Sequence, residues 1–221
     1  MMHRLDDMPL GAETLLVQIY QESFFRFSDR PSYRQDGHPG TWALDLRRPL
    51  ARSGLLRELC ALLLDKLEAA NVHQVVGAGA AAGLLVGGLV ASGRDFRGGI
   101  VRDRRKPYGF REQIEGALAR DQPVAIIDDI LASGTTMMRV AKALESEGYC
   151  TAAAFPIFEF GWREGRTALQ ALGLETTSLA KLSYTESVET PVRTLWAVAS
   201  SPQVVWELKG GEDSPFTGSG S

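Results

Sequence analysis

The most informative hydrophobic run in the chain covers Val124 to Ile127, where four apolar residues follow one another without a polar residue. An unbroken run that is rich in β-branched residues predicts a strand buried on both faces of a sheet. The run leads into two carboxylates, Asp128 and Asp129, and then into a loop of small residues. The segment 137–147 repeats apolar residues at helical spacing and predicts an amphipathic helix. The order is therefore buried strand, acidic pair, small loop and helix.

Similar patterns divide the rest of the chain into helices and strands. The predicted helices cover 12–27, 53–70 with Ser53 as a plausible N-cap, the apolar stretch from 84 to 91, and a segment ending at 172. The predicted strands cover 42–47, 72–76, 96–102, 151–158 and 174–182. Strands that are separated by helical stretches predict an α/β domain with a parallel sheet. In such a sheet, ligands bind at the carboxyl ends of the strands.

The loop after the acidic pair has the composition of a phosphate-binding site. Ser133, Thr135 and Thr136 offer hydroxyl donors, and Gly134 lets the backbone approach a ligand closely. The N–H groups of the first helical turn and the helix dipole favour an anion. The two carboxylates are suited to accept hydrogen bonds from ribose hydroxyls. The alternative is a buried strand with a capped helix and solvated aspartates. The segment contains neither a P-loop nor Gly-x-Gly-x-x-Gly.

Two other segments allow two interpretations each. The glycine-rich turn at 77–83 suits a phosphate or pyrophosphate, and it suits equally well a close-packed turn between a strand and a helix. The segment 103–116 is basic, contains Pro107 and shows no clean periodicity, which predicts a long mobile loop. That loop is either a solvated basic surface or a lid whose cations close over a polyphosphate.

Composition narrows the class of protein. The 221 residues, 44% hydrophobic and 23% charged, suit one globular domain with a sizeable core. A net charge of −3 argues against a broad nucleic-acid or membrane surface. Cys60 and Cys150 lie far apart, which predicts two reduced thiols in a cytoplasmic protein rather than a metal site or a disulfide. The N-terminus lacks the apolar region of a signal peptide, and the apolar stretch 75–92 is too rich in glycine for a convincing membrane span.

The segment from Val124 to Thr136 resembles the phosphoribosyl pyrophosphate (PRPP) signature of the type I phosphoribosyltransferases. The flanking segments are more similar to orotate phosphoribosyltransferases than to the purine enzymes. The matching positions are Phe25-Arg-Phe27, Asp45-Leu-Arg47, Arg102, Lys106, Tyr108 and Gly109. The resemblance covers about 12–184. It fails at the loop 28–33, at the glycine-rich turn, and at Phe160-Gly161, where the family has an Asp-Arg pair whose arginine holds the carboxylate of orotate.

The resemblance implies a type I phosphoribosyltransferase fold, with a mostly parallel central sheet flanked by helices, a small N-terminal hood and a mobile lid loop. It divides a single domain, 1–209, into a hood at about 12–50, a core at about 51–184 and a C-terminal appendage at about 185–209. We expect that appendage to be one helix or a short extension on the dimer surface. Residues 210–221 have the composition of a disordered tail or a cloning remnant.

The activity that the resemblance implies is transfer of the 5-phosphoribosyl group from PRPP to a nitrogenous base, with release of pyrophosphate. Orotate is the default acceptor, which corresponds to pyrimidine nucleotide biosynthesis. The alternatives are the same fold with a different heterocyclic acceptor and a non-catalytic PRPP-binding regulatory protein. Mg²⁺ would be carried by PRPP, and protein side chains alone would form no metal site. The expected assembly is a homodimer that shares the lid loop across its interface, without nucleic acid or membrane as a partner.

The residues of the chain and the resemblance together predict the site residues. The predicted catalytic residues are Lys106, Arg102 and Asp129. The predicted PRPP-binding residues are Asp128, Asp129, Ala132, Ser133, Gly134, Thr135, Thr136, Arg102 and Lys106. The predicted base-binding residues are Arg163, Trp162 and Phe27, with Arg163 standing in for the missing arginine and Trp162 stacking on a ring. A surface-to-core anchor is the alternative for Trp162.

Overall fold

A computed structural model of the chain describes residues 11–26, 32–33, 39–40, 42–103, 113–185, 192–197 and 205–208. The helices are α1 (Ala12–Ser23), α2 (Arg47–Leu50), α3 (Ser53–Ala69), α4 (Gly79–Val90), α5 (Thr135–Ser146) and α6 (Gly165–Gln170). The strands are β1 (Phe24–Arg26), β2 (Ser32–Tyr33), β3 (Pro39–Gly40), β4 (Trp42–Leu44), β5 (Gln74–Gly77), β6 (Arg97–Val101), β7 (Ile114–Gly116), β8 (Val124–Leu131), β9 (Thr151–Phe160), β10 (Glu175–Thr176), β11 (Ala180–Thr185), β12 (Val192–Ala197) and β13 (Val205–Leu208). Within the described ranges, no helix is both long enough and apolar enough to cross a bilayer.

One central sheet contains most of the strands, in the order β13-β12-β11-β9-β8-β5-β6-β7, with β10 also paired to β9. Its middle is parallel, because β5 pairs with β6 and β8, and β9 pairs with β8 and β11, all in the parallel direction. Antiparallel strands close both edges, with β7 on β6 and the β12–β13 pair on β11. Strands β1 and β4, and strands β2 and β3, form two small antiparallel pairs. The predicted α/β class with a mostly parallel sheet is confirmed.

Helices cover both faces of this sheet, and β8 shows why its sequence lacks polar alternation. Ala125 and Ile127 belong to the hydrophobic core that includes α1, α3 and α4. Val124 and Ile126 belong to the core under α5 and α6. All four residues are at most 1% exposed. Because successive side chains of a strand point to opposite faces, a central strand between two helical layers has to be apolar at every position.

The main differences between prediction and structure lie at the ends of elements. Strand β8 does not end at Ile127 but continues to Leu131, so the acidic pair lies inside the strand. The segment predicted as a strand at 42–47 ends at Leu44, and Arg47 begins a short helix. Ser53 is not an N-cap, because Arg52 occupies that position and makes no side-chain capping bond. Helix propensity and apolar spacing locate an element well and its ends poorly.

Two segments, one predicted as a loop and one predicted as a helix, contain strands in the structure. The predicted mobile loop 103–116 ends in β7, which pairs with β6, and its residues 104–112 lie outside the described part of the chain. The predicted C-terminal helix is wrong for the described residues, since β12 and β13 extend the sheet instead. The division into hood, core and appendage stays a prediction, and the tail 210–221 lies outside the described residues.

A glycine on α6 fixes the distance between that helix and the loop after β8. The N–H of Gly165 donates to the carbonyl of Ala132 at 2.9 Å. A Cβ at residue 165 would overlap that carbonyl oxygen and would lie 2.7 Å from the Cδ1 atom of Leu131. A side chain at this position therefore forces the helix and the loop apart.

We predict that Gly165→Ala lowers the free energy of unfolding by about 1–3 kcal/mol, because the added methyl overpacks a backbone contact. Urea unfolding followed by circular dichroism measures this change. The matched control is Gly87→Ala in α4, where a Cβ meets nothing within 4 Å. In a helix interior, that change should raise stability by about 0.5–1 kcal/mol. Equal effects of the two substitutions would contradict the packing argument.

Candidate functional site

The acidic pair occupies the carboxyl-terminal half of β8. Asp128 is buried with 7% of its surface exposed, and Asp129 is half-buried. The N–H of Asp129 donates to Oδ1 of Asp128 at 2.9 Å, and the N–H of Ile130 donates to Oδ1 of Asp129 at 3.0 Å. Each carboxylate thus has one oxygen fixed by the backbone, which leaves the other oxygen to accept hydrogen bonds from a ligand.

The electrostatics of the pair favour a bound donor. Burial raises the pKa of Asp128 well above its ordinary value, the neighbouring charge of Asp129 raises it further, and Arg139 opposes the rise. Burial also raises the pKa of Asp129, although its contacts with Asp128 and with the N–H of Ile130 oppose that rise. Two desolvated carboxylates side by side are costly unless donors reach them. Hydroxyl groups of a ligand would supply such donors.

A loop of three residues, 132–134, joins β8, the strand of the acidic pair, to α5. Gly134 has a φ of 78°, in the left-handed region, and α5 begins at the next residue. The hydroxyls of Ser133 and Thr135 lie 2.9 Å apart and are both exposed. The first N–H groups of a helix have no acceptor within it. The loop therefore presents hydroxyl and N–H donors together, which is the arrangement that binds a phosphate.

These groups line one open pocket of about 470 Å³. The lining residues are Arg47, Ala78, Gly79, Ala80, Ala81, Asp128, Asp129, Ile130, Leu131, Ala132, Ser133, Gly134, Thr135, Thr136 and Met137. The structure thus brings together the acidic pair and every residue of the loop to which PRPP binding was assigned from the sequence. The roles of these residues stay predictions. Residues that bind one ligand have to line one pocket, and these residues do so.

The glycine-rich turn after β5 is closely packed in its first half and lines the pocket in its second half. Gly77 is a packing residue, because a Cβ there would lie 2.6 Å from the Cβ of Ala82 and 3.0 Å from the carbonyl oxygen of Ile127. Gly79 has a φ of 84°, and a Cβ there would meet nothing within 4 Å. Gly79 lines the pocket of the acidic pair, so the second half of the turn faces any ligand.

Arg102 lies just beyond β6, beside this pocket rather than in it. It lines a neighbouring cavity of about 470 Å³ with Gly79, Val101 and Asp103. Gly79 lines both cavities. The guanidinium of Arg102 donates to Oε1 of Glu115 at 3.1 Å. Lys106, the other predicted catalytic cation, lies outside the described residues.

The residues predicted to bind the base do not line the pocket of the acidic pair. Trp162 and Arg163 are exposed in the turn between β9 and α6. The ring of Trp162 stacks on the ring of Phe160, with centroids 4.7 Å apart and planes at 12°. Phe27 lies outside the described residues. Their assignment to base binding stays a prediction.

Sequence reasoning assigned no role to two features that shape the site. Arg47 lines the pocket, and its guanidinium is held by Asp45. Glu159 is 3% exposed near the end of β9 and accepts hydrogen bonds from the guanidinium of Arg166 and from the hydroxyl of Ser178. That network ties α6 to the sheet beside the loop of the site. The sequence does contain a signal for this network, because Glu159 is the lone charged residue in an apolar strand.

The chain is similar in sequence to curated orotate phosphoribosyltransferases. It is 25% identical to the enzyme of that name from Listeria monocytogenes over 186 residues, which is 80% of this chain and 88% of the relative. It is 27% identical to that from Staphylothermus marinus over 173 residues, or 78% of this chain and 82% of the relative. No family model matches the chain. The resemblance inferred from the sequence is confirmed.

Solved structures show the same architecture. The orotate phosphoribosyltransferase of Mycobacterium tuberculosis superposes with a TM-score of 0.65 at 20% identity, covering 76% of this chain and 93% of that chain. A phosphoribosyltransferase from Corynebacterium diphtheriae superposes with a TM-score of 0.64 at 18% identity, covering 76% of this chain and 95% of that one.

The chain has the type I phosphoribosyltransferase fold. In this phosphoribosyltransferase fold, the pocket of the acidic pair lies at the carboxyl ends of the parallel strands, which is the edge where open α/β sheets bind ligands. The relatives are named as enzymes, which supports the prediction that this chain is an enzyme of the same kind.

The raised pKa of Asp128 gives a prediction about stability. Between the ordinary aspartate pKa of 3.8 and the raised pKa of the folded state, the folded protein binds more protons than the unfolded chain. Stability from this group is therefore present at low pH and is lost as the pH rises through that window. Asp128→Asn removes the titration, so the variant should gain stability relative to the wild type as the pH increases from 4 to 8.

Urea unfolding at several pH values measures this difference. Asp121→Asn, in an exposed turn away from the pocket, is the matched control and should follow the wild type. A constant difference between Asp128→Asn and the wild type at all pH values would show that Asp128 is not desolvated in the folded protein.

Proposed function

We propose that this chain is a phosphoribosyltransferase that transfers the 5-phosphoribosyl group of PRPP to a nitrogenous base, with orotate as the default acceptor. The observation that carries the proposal is the single pocket shared by Asp128, Asp129 and the loop 132–136. The names of the relatives support the same activity. The M. tuberculosis enzyme has also been solved in complex with PRPP, and that structure superposes on this chain with a TM-score of 0.54.

The parts of the pocket match the parts of a phosphorylated ribose. The hydroxyls of Ser133, Thr135 and Thr136, with the N–H groups at the start of α5, bind the 5-phosphate. The carboxylates of Asp128 and Asp129 accept hydrogen bonds from the ribose hydroxyls. This contact adds donors to the two backbone N–H groups that the pair already accepts.

The reaction proposed is displacement at C1 of the ribose. A nitrogen of the base forms the new C1–N bond while the C1–O bond breaks and its electron pair leaves on pyrophosphate. The proton lost from that nitrogen passes to pyrophosphate or to solvent. Positive charge develops on the ribose ring in the transition state. A fixed carboxylate nearby stabilises that charge, which is the catalytic role assigned to Asp129. Positioning of the two substrates supplies much of the remaining acceleration.

Cations are needed where pyrophosphate leaves. Arg102 lines the cavity next to the pocket, and Lys106 is assigned the same task from the sequence alone. Mg²⁺ is the proposed cofactor. Among the described residues, no three His, Cys, Asp or Glu side chains converge on one point. The oxygen donors present are those of the acidic pair, which fits a hard cation that arrives on the polyphosphate and neutralises its charge.

A homodimer that shares the lid loop, and a location in the cytoplasm, are part of the proposal and rest on the resemblance. Two alternatives concern the acceptor and the activity. The stack of exposed Trp162 on half-buried Phe160, at the end of β9 where the family has Asp-Arg, favours a heterocyclic acceptor other than orotate. A non-catalytic PRPP-binding protein is the second alternative, and the predicted lid cations argue against it.

The test is a turnover assay with PRPP and Mg²⁺ against a panel of bases, with release of pyrophosphate as the measurement. We expect turnover with orotate. Turnover with another base alone would favour the first alternative, and PRPP binding without turnover of any base would favour the second.

Substitution of the predicted lid lysine tests the chemistry. Lys106→Ala should lower kcat about a hundredfold or more, because the charge that develops on pyrophosphate loses a fixed cation. Lys142→Ala, which removes an exposed lysine of α5 that does not line the pocket, should leave kcat unchanged. An unchanged kcat in Lys106→Ala would remove this residue from the proposed mechanism.

A further inference from the structure

Arg47 is a cation in the pocket of the acidic pair that the proposed function leaves unused. It begins α2, a short helix that packs against α4, and it is the basic residue among those that line this pocket. Its side chain is 63% exposed. The next residue, Arg48, is directed elsewhere, because its guanidinium lies over the ring of Phe25 at 4.9 Å.

Asp45 holds the guanidinium of Arg47 in one orientation. Nε of Arg47 donates to Oδ1 of Asp45 at 2.6 Å, and Nη2 donates to Oδ2 at 2.7 Å. The backbone N–H of Arg47 also donates to Oδ1 at 3.1 Å, and the N–H of Asp45 donates to the carbonyl of Ser23 at 2.7 Å. A paired, planar contact of this kind fixes a guanidinium far better than a single bond does.

This contact leaves one edge of the guanidinium for a ligand. The two bonds to Asp45 use two of the five N–H donors of an arginine. Within the residues that the structure describes, the other donors have no acceptor. An exposed guanidinium that is already oriented and still has donors is suited to bind a phosphate group, because less rotamer entropy is lost on binding.

The position of Arg47 indicates which phosphate group of PRPP it would bind. The 5-phosphate is assigned to the loop between β8 and α5. Arg47 instead reaches the pocket from α2, which packs on α4, and α4 lies on the face of the sheet opposite to α5. Gly79, the first residue of α4, also lines the cavity of Arg102. In PRPP the two phosphate-bearing ends lie on opposite sides of the ribose, so the end away from the loop carries the pyrophosphate.

We propose that Arg47 binds the pyrophosphate group of PRPP and that Asp45 is its positioning residue. The inference rests on the proposed function, because it assigns one more part of the same substrate. When the C1–O bond breaks, its electron pair stays on the pyrophosphate oxygen, and a guanidinium fixed in advance stabilises that charge without reorganising. Arg47 thereby complements Arg102 on the far side of Gly79.

The experiment measures binding of two fragments of the substrate by calorimetry, namely inorganic pyrophosphate with Mg²⁺ and ribose 5-phosphate. Arg47→Ala should weaken binding of pyrophosphate about tenfold to a hundredfold, because charge-assisted hydrogen bonds are lost. Binding of ribose 5-phosphate should be unchanged. Arg47→Lys and Asp45→Asn should give smaller losses, since each keeps a cation at residue 47 and removes the planar contact.

Arg52→Ala is the matched control. Arg52 is 60% exposed and pairs with Glu22 at 2.7 Å, but it does not line the pocket. This variant should bind both fragments as the wild type does. Thermal unfolding of each variant separates a binding defect from a folding defect, and the more conservative Arg47→Lys provides a second test if Arg47→Ala does not fold.

Three results would overturn the inference: unchanged binding of pyrophosphate by Arg47→Ala, an equal loss of affinity for ribose 5-phosphate, or a loss confined to the acceptor base. The test is independent of turnover. If pyrophosphate binding depends on Arg47 but no base is ribosylated, then the transferase proposal fails while the assignment of Arg47 holds. If turnover is found and Arg47→Ala binds pyrophosphate normally, then the transferase proposal holds while the assignment of Arg47 fails.

Discussion

The site depends on the burial of two adjacent carboxylates at the end of a strand that is itself buried on both faces. The apolar residues 124–127 fix β8 between two hydrophobic cores, and the strand continues far enough to carry Asp128 and Asp129 to the edge of the sheet. There burial raises the cost of ionising both acids, and the neighbouring charge of Asp129 raises it further for Asp128. Folding removes both carboxylates from water at a cost in free energy. A ligand that brings hydroxyl donors lowers that cost, because each new hydrogen bond replaces one that the carboxylates made with water.

The loop that follows is held by its own tight turn and by its contact with α6. Gly134 turns the chain in the left-handed region, and the close contact between Gly165 and the carbonyl of Ala132 fixes how near α6 approaches. The buried network of Glu159, Arg166 and Ser178 anchors α6 in turn. Donors that are fixed before a phosphate arrives bind it with little loss of conformational entropy, which is the physical use of so constrained a loop.

Sequence patterns predicted most of the part of the site that β8, the loop after it and α5 form. The unbroken apolar run at 124–127, the acids and the small loop lie together in the chain, and local order was enough to predict that they form one site. The contribution of Arg47 could not be predicted in this way, because it depends on how α2 packs against α4. Strands β7, β12 and β13 were missed for the same reason, since edge strands are defined by their partners more than by their own periodicity.

The charges of the site follow the strand order of the sheet. Donors without full charge lie after β8, and the carboxylates lie in the carboxyl-terminal half of β8 itself. Arg47, which lines the pocket, lies beside α4, and Arg102, which lines the neighbouring cavity, lies just beyond the end of β6. A ligand with a phosphate at one end, hydroxyls in the middle and a larger negative charge at the other end matches this order of groups in one direction. The turn after β9, where Trp162 is exposed, lies outside this line of charge. Under the proposed function, divergence of that turn changes which base is accepted and leaves the contacts to the phosphorylated sugar in place.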